Sequence, residues 1–123
     1  MNLVLERIIL STQMSAKREL VEKLTAKGAE VMVVSDTKEF KDLAETREYK
    51  HYIVDPDMPM EYLTKSLNCA KQNGIGIHFV SGTDYPVSLM LKWKNDFGAH
   101  GMILTNDLAA IPKYVRSVSR RQI

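Results

Sequence analysis

Four polar groups close short apolar runs in this 123-residue sequence: Ser11-Thr12, Asp55-Pro56-Asp57, Ser81-Gly82-Thr83 and Thr105-Asn106. Asp55 and Asp57 are the only acids among them. Gathered at one place, the set forms a small polar pocket. A carboxylate there could accept a transferred group, or the pair could hold a hard cation, which prefers anionic oxygens. The plainer chemistry is structural. Asp55 would then be a strand-end carboxylate bonded to backbone N–H groups or to the hydroxyls of Ser11, Thr12 and Ser81, as buried polar groups require. Asp57 would be a turn residue bonded to its own backbone.

Other chemistries find little support. Ser/His/Asp catalysis needs a G-x-S-x-G elbow, which is absent, as is a P-loop. Gly74-Ile75-Gly76 has the look of a dinucleotide fingerprint fragment but precedes an apolar run, whereas that fingerprint follows one. His51, His78 and His100 fall in three different elements, and His78, inside an apolar run, reads as a hydrogen-bonded core residue rather than a metal ligand. The single cysteine, Cys69, excludes an intrachain disulfide and a cysteine-based metal cluster. With 17 Lys and Arg against 15 Asp and Glu the net charge is +2, too small to point to nucleic acid or a membrane surface. No apolar run reaches the ~20 residues of a membrane helix. Residues 1–7 lack the basic start and long apolar stretch of a signal peptide, so the expected location is cytoplasmic.

The polar groups need strands to carry them. Five short, continuously apolar runs are read as strands: 7–11, 31–35, 51–55, 76–81 and 101–105. Runs without alternation fit strands covered on both faces. Amphipathic segments separate them. The first carries Leu20, Val21 and Leu24 and stops near Gly28, a suitable residue just past a helix end. The second opens on Asp36-Thr37-Lys38-Glu39, a capping box, and buries Phe40, Leu43 and Ala44. The third carries Leu63, Leu67 and Ala70 and ends at Asn73-Gly74. The fourth starts around Asp84-Tyr85-Pro86, with the proline in the first turn, and offers Val87, Met90, Leu91 and Phe97. The last carries Leu108, Ile111, Val115 and Val118; Pro112 predicts a short turn over 107–110 and a helix beginning near the proline. Alternation of this kind implies a parallel sheet with helices on both faces. Ligands of such sheets sit beyond the carboxyl ends of the strands, where strand order reverses.

Asp55-Pro56-Asp57-Met58-Pro59 resembles the D-x-x-M-P segment after the third strand of CheY-like response-regulator receiver domains, where the aspartate accepts a phosphoryl group. The segment 98–106 is similar to the family's G-A-x-G-aromatic-apolar-apolar-Lys-Pro run, and Val80-Ser81-Gly82 falls at its Ser/Thr followed by a small residue. Ile8-Ile9-Leu10-Ser11-Thr12 falls where the family has an apolar strand ending in two acids. The resemblance spans residues 6 to 118. It implies an α/β, (βα)5 doubly wound parallel sheet of the flavodoxin/CheY-like kind, strand order 2-1-3-4-5, as one domain over 1–123. The tail 117–123 is read either as a helix end or as the start of a linker.

Departures from the pattern shape the functional expectation. Ser11 and Thr12 stand where the resemblance implies acids for Mg²⁺, Thr105 where it implies a lysine, Asn106 where it implies a proline, and Met102 where it implies a switch aromatic. Asp55 is the phosphoacceptor equivalent, and Ser11, Thr12, Asp57, Ser81 and Thr105 form a remnant pocket. Only Asp55 and Asp57 are candidates for a metal, and neither Mg²⁺ nor another cofactor is expected. The resemblance thus implies a non-enzymatic pseudo-receiver: a signalling module in or near a phosphorelay, acting through protein–protein contact without Asp55 phosphorylation. One alternative is a true phosphoacceptor with a degenerate site at Asp55. Another is a small-molecule-binding flavodoxin-like domain. Expected partners are another signalling protein or a fused effector domain, with homodimerisation through helices four and five as a family-based arrangement. Neither a membrane nor, for this domain alone, nucleic acid is expected. Lys113, Arg116 and Arg120 form either a solvated stripe or a docking face, and an exposed Trp93 would be an interface anchor.

Overall fold

The computed structural model describes residues 6–121, with side chains through Ser117. Strands and helices alternate as β1 (Arg7–Ser11), α1 (Lys17–Ala26), β2 (Glu30–Val33), α2 (Thr37–Glu45), β3 (His51–Val54), α3 (Met60–Gln72), β4 (Gly76–Ser81), α4 (Val87–Phe97), β5 (Gly101–Leu104) and α5 (Ala110–Arg121). The strands form one parallel sheet in the order β2-β1-β3-β4-β5, as the alternation and the resemblance imply. No helix among the described residues is long and apolar enough to cross a membrane.

Strand geometry explains the continuous apolar runs. Successive side chains point to opposite faces, and here both faces are covered. Ile8 and Leu10 join Ile53 and Val80 beneath α1 and α5, packed on Leu20, Leu24, Leu108, Ile111 and Val115. Ile9, Tyr52, Val54, Ile77 and Phe79 point the other way, onto α2, α3 and α4 through Phe40, Leu63, Leu67 and Met90. Phe40 meets the ring of Tyr52 at 4.5 Å between centroids, and the buried Tyr52 hydroxyl bonds Ser66 Oγ at 2.9 Å.

The second run, the fourth helix and Pro86 depart from expectation. The second run is not covered on both faces. β2 is an edge strand that pairs only with β1, and Met32 and Val33 are each 42% exposed. On α4 only Met90 is fully buried; Phe97 is half-buried, and Val87 and Leu91 face solvent. Pro86 stands just before that helix rather than in its first turn. The last helix begins at Ala110, two residues before Pro112, so the proline sits in the first turn, where its missing N–H has no helical partner to lose. The turn that precedes it is set by Asp107, whose Oδ1 accepts from Ala109 N.

Asp36 does cap α2, accepting from Lys38 N at 2.9 Å. Gly28 at φ +92° and Gly74 at φ +70° end α1 and α3 in the left-handed region that glycine enters at least cost. Backbone 117–121 belongs to α5. The side chains of Val118 and Arg120, and residues 122–123, lie outside the described residues.

The contrast between core and edge is measurable. Phe40→Ala removes a fully buried ring and is expected to cost about 3–5 kcal/mol. Met32→Ser on the exposed edge is expected to stay within about 0.5 kcal/mol. Urea unfolding of the two variants checks both; comparable losses would contradict this packing.

Candidate functional site

The carboxyl ends of β1, β3 and β4 open into a cleft of about 710 Å³. It lies where strand order reverses between β1 and β3, the expected place for a ligand on such a sheet.

Asp55 forms its floor, at 2% exposure. Its position follows from local sequence. Asp-Pro-Asp-Met folds as a β-turn with proline at its second position, closed by Met58 N donating to Asp55 O at 3.1 Å. The Asp55 side chain caps that turn, Oδ1 accepting from Asp57 N at 2.9 Å. Oδ2 faces the β1–α1 loop, accepting from the Thr12 hydroxyl at 3.2 Å and from Gln13 N at 3.4 Å. The same Thr12 oxygen accepts from Met14 N at 3.0 Å, which fixes the loop. Both carboxylate oxygens are therefore bonded, one to its own turn and one to the neighbouring loop.

The expected pocket residues divide. Asp55, Asp57 and Ser81 line the cleft. Thr12 stands behind Asp55 as a donor. Ser11 is turned to the opposite face of the sheet, where its hydroxyl donates to Val34 O and meets Tyr62 Oη, both at 2.6 Å. Of the three hydroxyls expected at Asp55, only that of Thr12 bonds it. Thr105 is also elsewhere: its hydroxyl accepts from Asp107 N at 2.9 Å, and it lines a separate cleft with Glu19 and Lys23.

Sequence reasoning missed a third acid. Asp84 lines the cleft, so Asp55 and Asp57 are not its only carboxylates. Asp84 lies three residues beyond β4, close enough to reach the same rim, but it read only as part of a helix start. Tyr85, Leu89 and Met14 supply an apolar wall. Tyr85 is held by Trp93, whose Nε1 donates to its hydroxyl at 3.2 Å. Trp93 itself is half-buried and stacks on Phe97 at 5.7 Å, so it is not the exposed anchor considered from sequence. Asn106 clasps the far rim, accepting from Thr83 N and donating to Thr83 Oγ1 at 2.8 Å; its Oδ1 would lie 3.1 Å from a Cβ at Gly82, so the close approach uses that glycine.

The cleft is electrically one-sided. No lysine, arginine or histidine is among its lining residues. Partial burial and then the charge of Asp55 raise the Asp57 carboxyl above its ordinary range. The Tyr85 phenol is raised by burial first, then by both aspartates. Asp55 and Asp57 are the nearest to a cation site, but no three His, Cys, Asp or Glu side chains among the described residues are grouped to hold a metal ion.

The histidines gather at the other end of the sheet. His51 Nδ1 meets His78 Nε2 at 3.2 Å, and His100 Nδ1 accepts from Ile77 N. His51 Nε2 lies 3.0 Å from Glu6 Oε2, an ion pair when His51 is protonated. His78 is buried and hydrogen-bonded, as its place in an apolar strand implied.

Known structures share this architecture. The Vibrio cholerae chemotaxis protein CheY4 superposes with a TM-score of 0.75 at 16% identity, covering 94% of this chain and 99% of that one. A CheY-like receiver domain from Methanospirillum hungatei gives 0.75 at 17% identity, over 96% and 97% of the two chains. Full-length FixJ from B. japonicum gives 0.75 at 17% identity; the match covers 96% of this chain and 59% of FixJ. The chain thus has the CheY-like receiver fold, and at these identities the likeness is one of fold. No protein-family model matches the sequence. No curated protein matches it.

Burial of His78 has a pH consequence. Desolvation first, then His51 and His100, lower its pKa from 6.5 to about 3. The unfolded chain binds this proton below pH 6.5 and the folded one does not. Stability is therefore expected to be full above pH 6.5 and to fall on acidification toward pH 3, by up to ~1.4 kcal/mol per pH unit for one proton. His78→Gln should flatten the slope measured by urea unfolding between pH 6.5 and 5. An unchanged slope would contradict the assignment.

Proposed function

We propose that this chain is a receiver-like signalling domain, not an enzyme, that acts by protein–protein interaction without phosphorylation of Asp55. One observation carries the reading: both oxygens of Asp55 already serve as acceptors for loop donors, in a cleft whose other charged lining groups, Asp57 and Asp84, are acids. Phosphoryl transfer depends on positioning and on neutralising charge as the group arrives. A phosphoryl group on Asp55 would meet two further carboxylates and no cationic side chain in this cleft.

The receiver fold brings Mg²⁺ to mind, and the residues present do not fit it. The ion takes octahedral oxygen coordination, usually with one or two carboxylates. Here the Ser11 hydroxyl is engaged on the far face, Thr12 is engaged with Asp55, and Asp55 already accepts from Thr12, Gln13 and Asp57.

Partner contact on this reading uses the α4 side, where Val87, Leu89 and Leu91 expose apolar surface beside the cleft. Lys113 on α5 is exposed and Arg116 half-buried, consistent with a solvated basic edge. The partner is another signalling protein or a fused effector domain in the cytoplasm, and self-association through α4 and α5 belongs to the same proposal. A second reading, a small-molecule-binding domain, gains weight from the cleft volume, which lies within the ~300–1,000 Å³ of ligand pockets.

Incubation with acetyl phosphate and Mg²⁺, followed by intact mass measurement, is expected to leave the chain unmodified. An added phosphoryl mass lost in Asp55→Ala would overturn the proposal. Independently, Asp55→Ala strips acceptors from Thr12, Gln13 and Asp57 and is expected to cost about 1–3 kcal/mol. A neutral effect on urea unfolding would contradict the structural role of Asp55.

A further inference from the structure

We propose that the histidines at the amino end of the sheet form an acid-released latch: proton uptake by the Glu6–His51–His78 chain opens the row of backbone bonds that joins the strand starts, while the cleft end stays paired. The inference is independent of the state of Asp55.

One row of backbone bonds crosses the whole sheet at this end. Glu30 N donates to Glu6 O, Lys50 N to Arg7 O, Gly76 N to Lys50 O and His100 N to Ile77 O, at 2.9–3.1 Å. Four titratable side chains sit on or beside it: Glu6, His51, His78 and His100. Strand alternation puts His51 and His78 on the face of Ile8 and Ile53, beneath α1 and α5. There His51 is 7% and His78 1% exposed.

The geometry leaves no place for a further proton. Glu6 Oε2 lies 3.0 Å from His51 Nε2 and favours the His51 proton on that nitrogen. His51 Nδ1 is then an acceptor, so the 3.2 Å contact needs His78 Nε2 to donate. That assigns the one ring proton of neutral His78 to Nε2 and leaves Nδ1 bare. This Nδ1 is buried with no hydrogen-bond partner among the described residues. A bare acceptor is tolerated there, but a charged N–H without an acceptor is far more costly. A proton added at His78 Nδ1 makes such a group. A proton added at His51 Nδ1 sets two N–H donors face to face. Glu6 favours charge on His51 but does not restore the lost His51–His78 bond. By either route the closed arrangement is broken as the proton binds.

The surroundings do not relieve this. Lys50 and His100, both exposed, act on His51 as like charges, and burial is the largest effect on both His51 and His78. The elements above the pair, α1 and α5, cover this face with Leu24 and Val115. The charged side chains of α1 are exposed. On α5, Lys113 is exposed, Arg116 is half-buried, and the Tyr114 hydroxyl accepts from Met102 N. The closed row therefore binds fewer protons than the opened one, whose histidines return to the ordinary 6.5. Opening is disfavoured above pH 6.5 and gains below it, by up to about tenfold per pH unit for one proton.

Native-state amide exchange of the whole chain, followed by NMR in low urea, reads this opening directly. Corrected for intrinsic rates, opening at the Lys50, Gly76 and His100 amides is expected to grow about tenfold from pH 6.5 to 5. It is expected to be insensitive to urea, since a local opening exposes little surface. The amides of Asp55 and Thr105, bonded to Ser11 O and Ser81 O at the cleft end, are expected to stay more protected at pH 5. His78→Gln should remove the pH dependence. Ring nitrogen shifts at pH 7 should place the protons of His51 and His78 on Nε2. Exchange in the row that rises with urea in step with Asp55 and Thr105 marks unfolding of the whole chain and overturns the inference. Exchange indifferent to pH, or an Nδ1 proton on neutral His78, overturns it as well. If His78→Gln does not fold, exchange and ring shifts of the unaltered chain decide alone.

Discussion

The bonding of one buried carboxylate organises the functional end of this molecule. Asp55 is almost fully enclosed, and an ion in that position must be compensated. Compensation comes from short-range donors rather than from a positive side chain: Asp57 N on one oxygen, Thr12 Oγ1 and Gln13 N on the other. That choice ties the turn after β3 to the loop after β1. It also leaves the negative charge of the neighbouring acids unopposed inside the cleft.

The rest of the architecture serves to hold those donors in range. β1 and β3 are adjacent and parallel, with Ser11 opposite Val54, so their carboxyl ends emerge side by side. Two separate cores fix the sheet between its helix layers. Beyond the strands, paired side chains set the walls: Trp93 holds Tyr85, and Asn106 holds Thr83. At the opposite end of the sheet, the buried His51–His78 contact makes folding sensitive to acid without touching the cleft.

The sheet was legible in the sequence because fully covered strands leave continuous apolar runs, and Arg7–Ser11 and Gly76–Ser81 match their expected bounds. The run around Met32 misled for a physical reason: an edge strand can be just as apolar in sequence while one neighbour and part of its cover are missing. At the site, Asp55 and Ser81 were legible as strand-end residues. Ser11 was not correctly placed, since side-chain alternation carries it to the Tyr62 side while Thr12 turns to Asp55. Thr105 bends into its own turn with Asp107, and Asp84 reaches the rim from a loop. Such positions depend on backbone direction after the strand ends, which residue types alone do not specify.

On the proposed reading Asp55 is a structural acceptor rather than a phosphoacceptor. The most direct measurement is an amide NMR titration of the whole chain with Mg²⁺ followed by beryllofluoride, a phosphoryl mimic that requires a competent carboxylate and cation site. The account predicts that the signals of Asp55, Ser81 and Thr105 stay in place through both additions. Joint, saturable movement of those three would contradict it and make this a working phosphoacceptor.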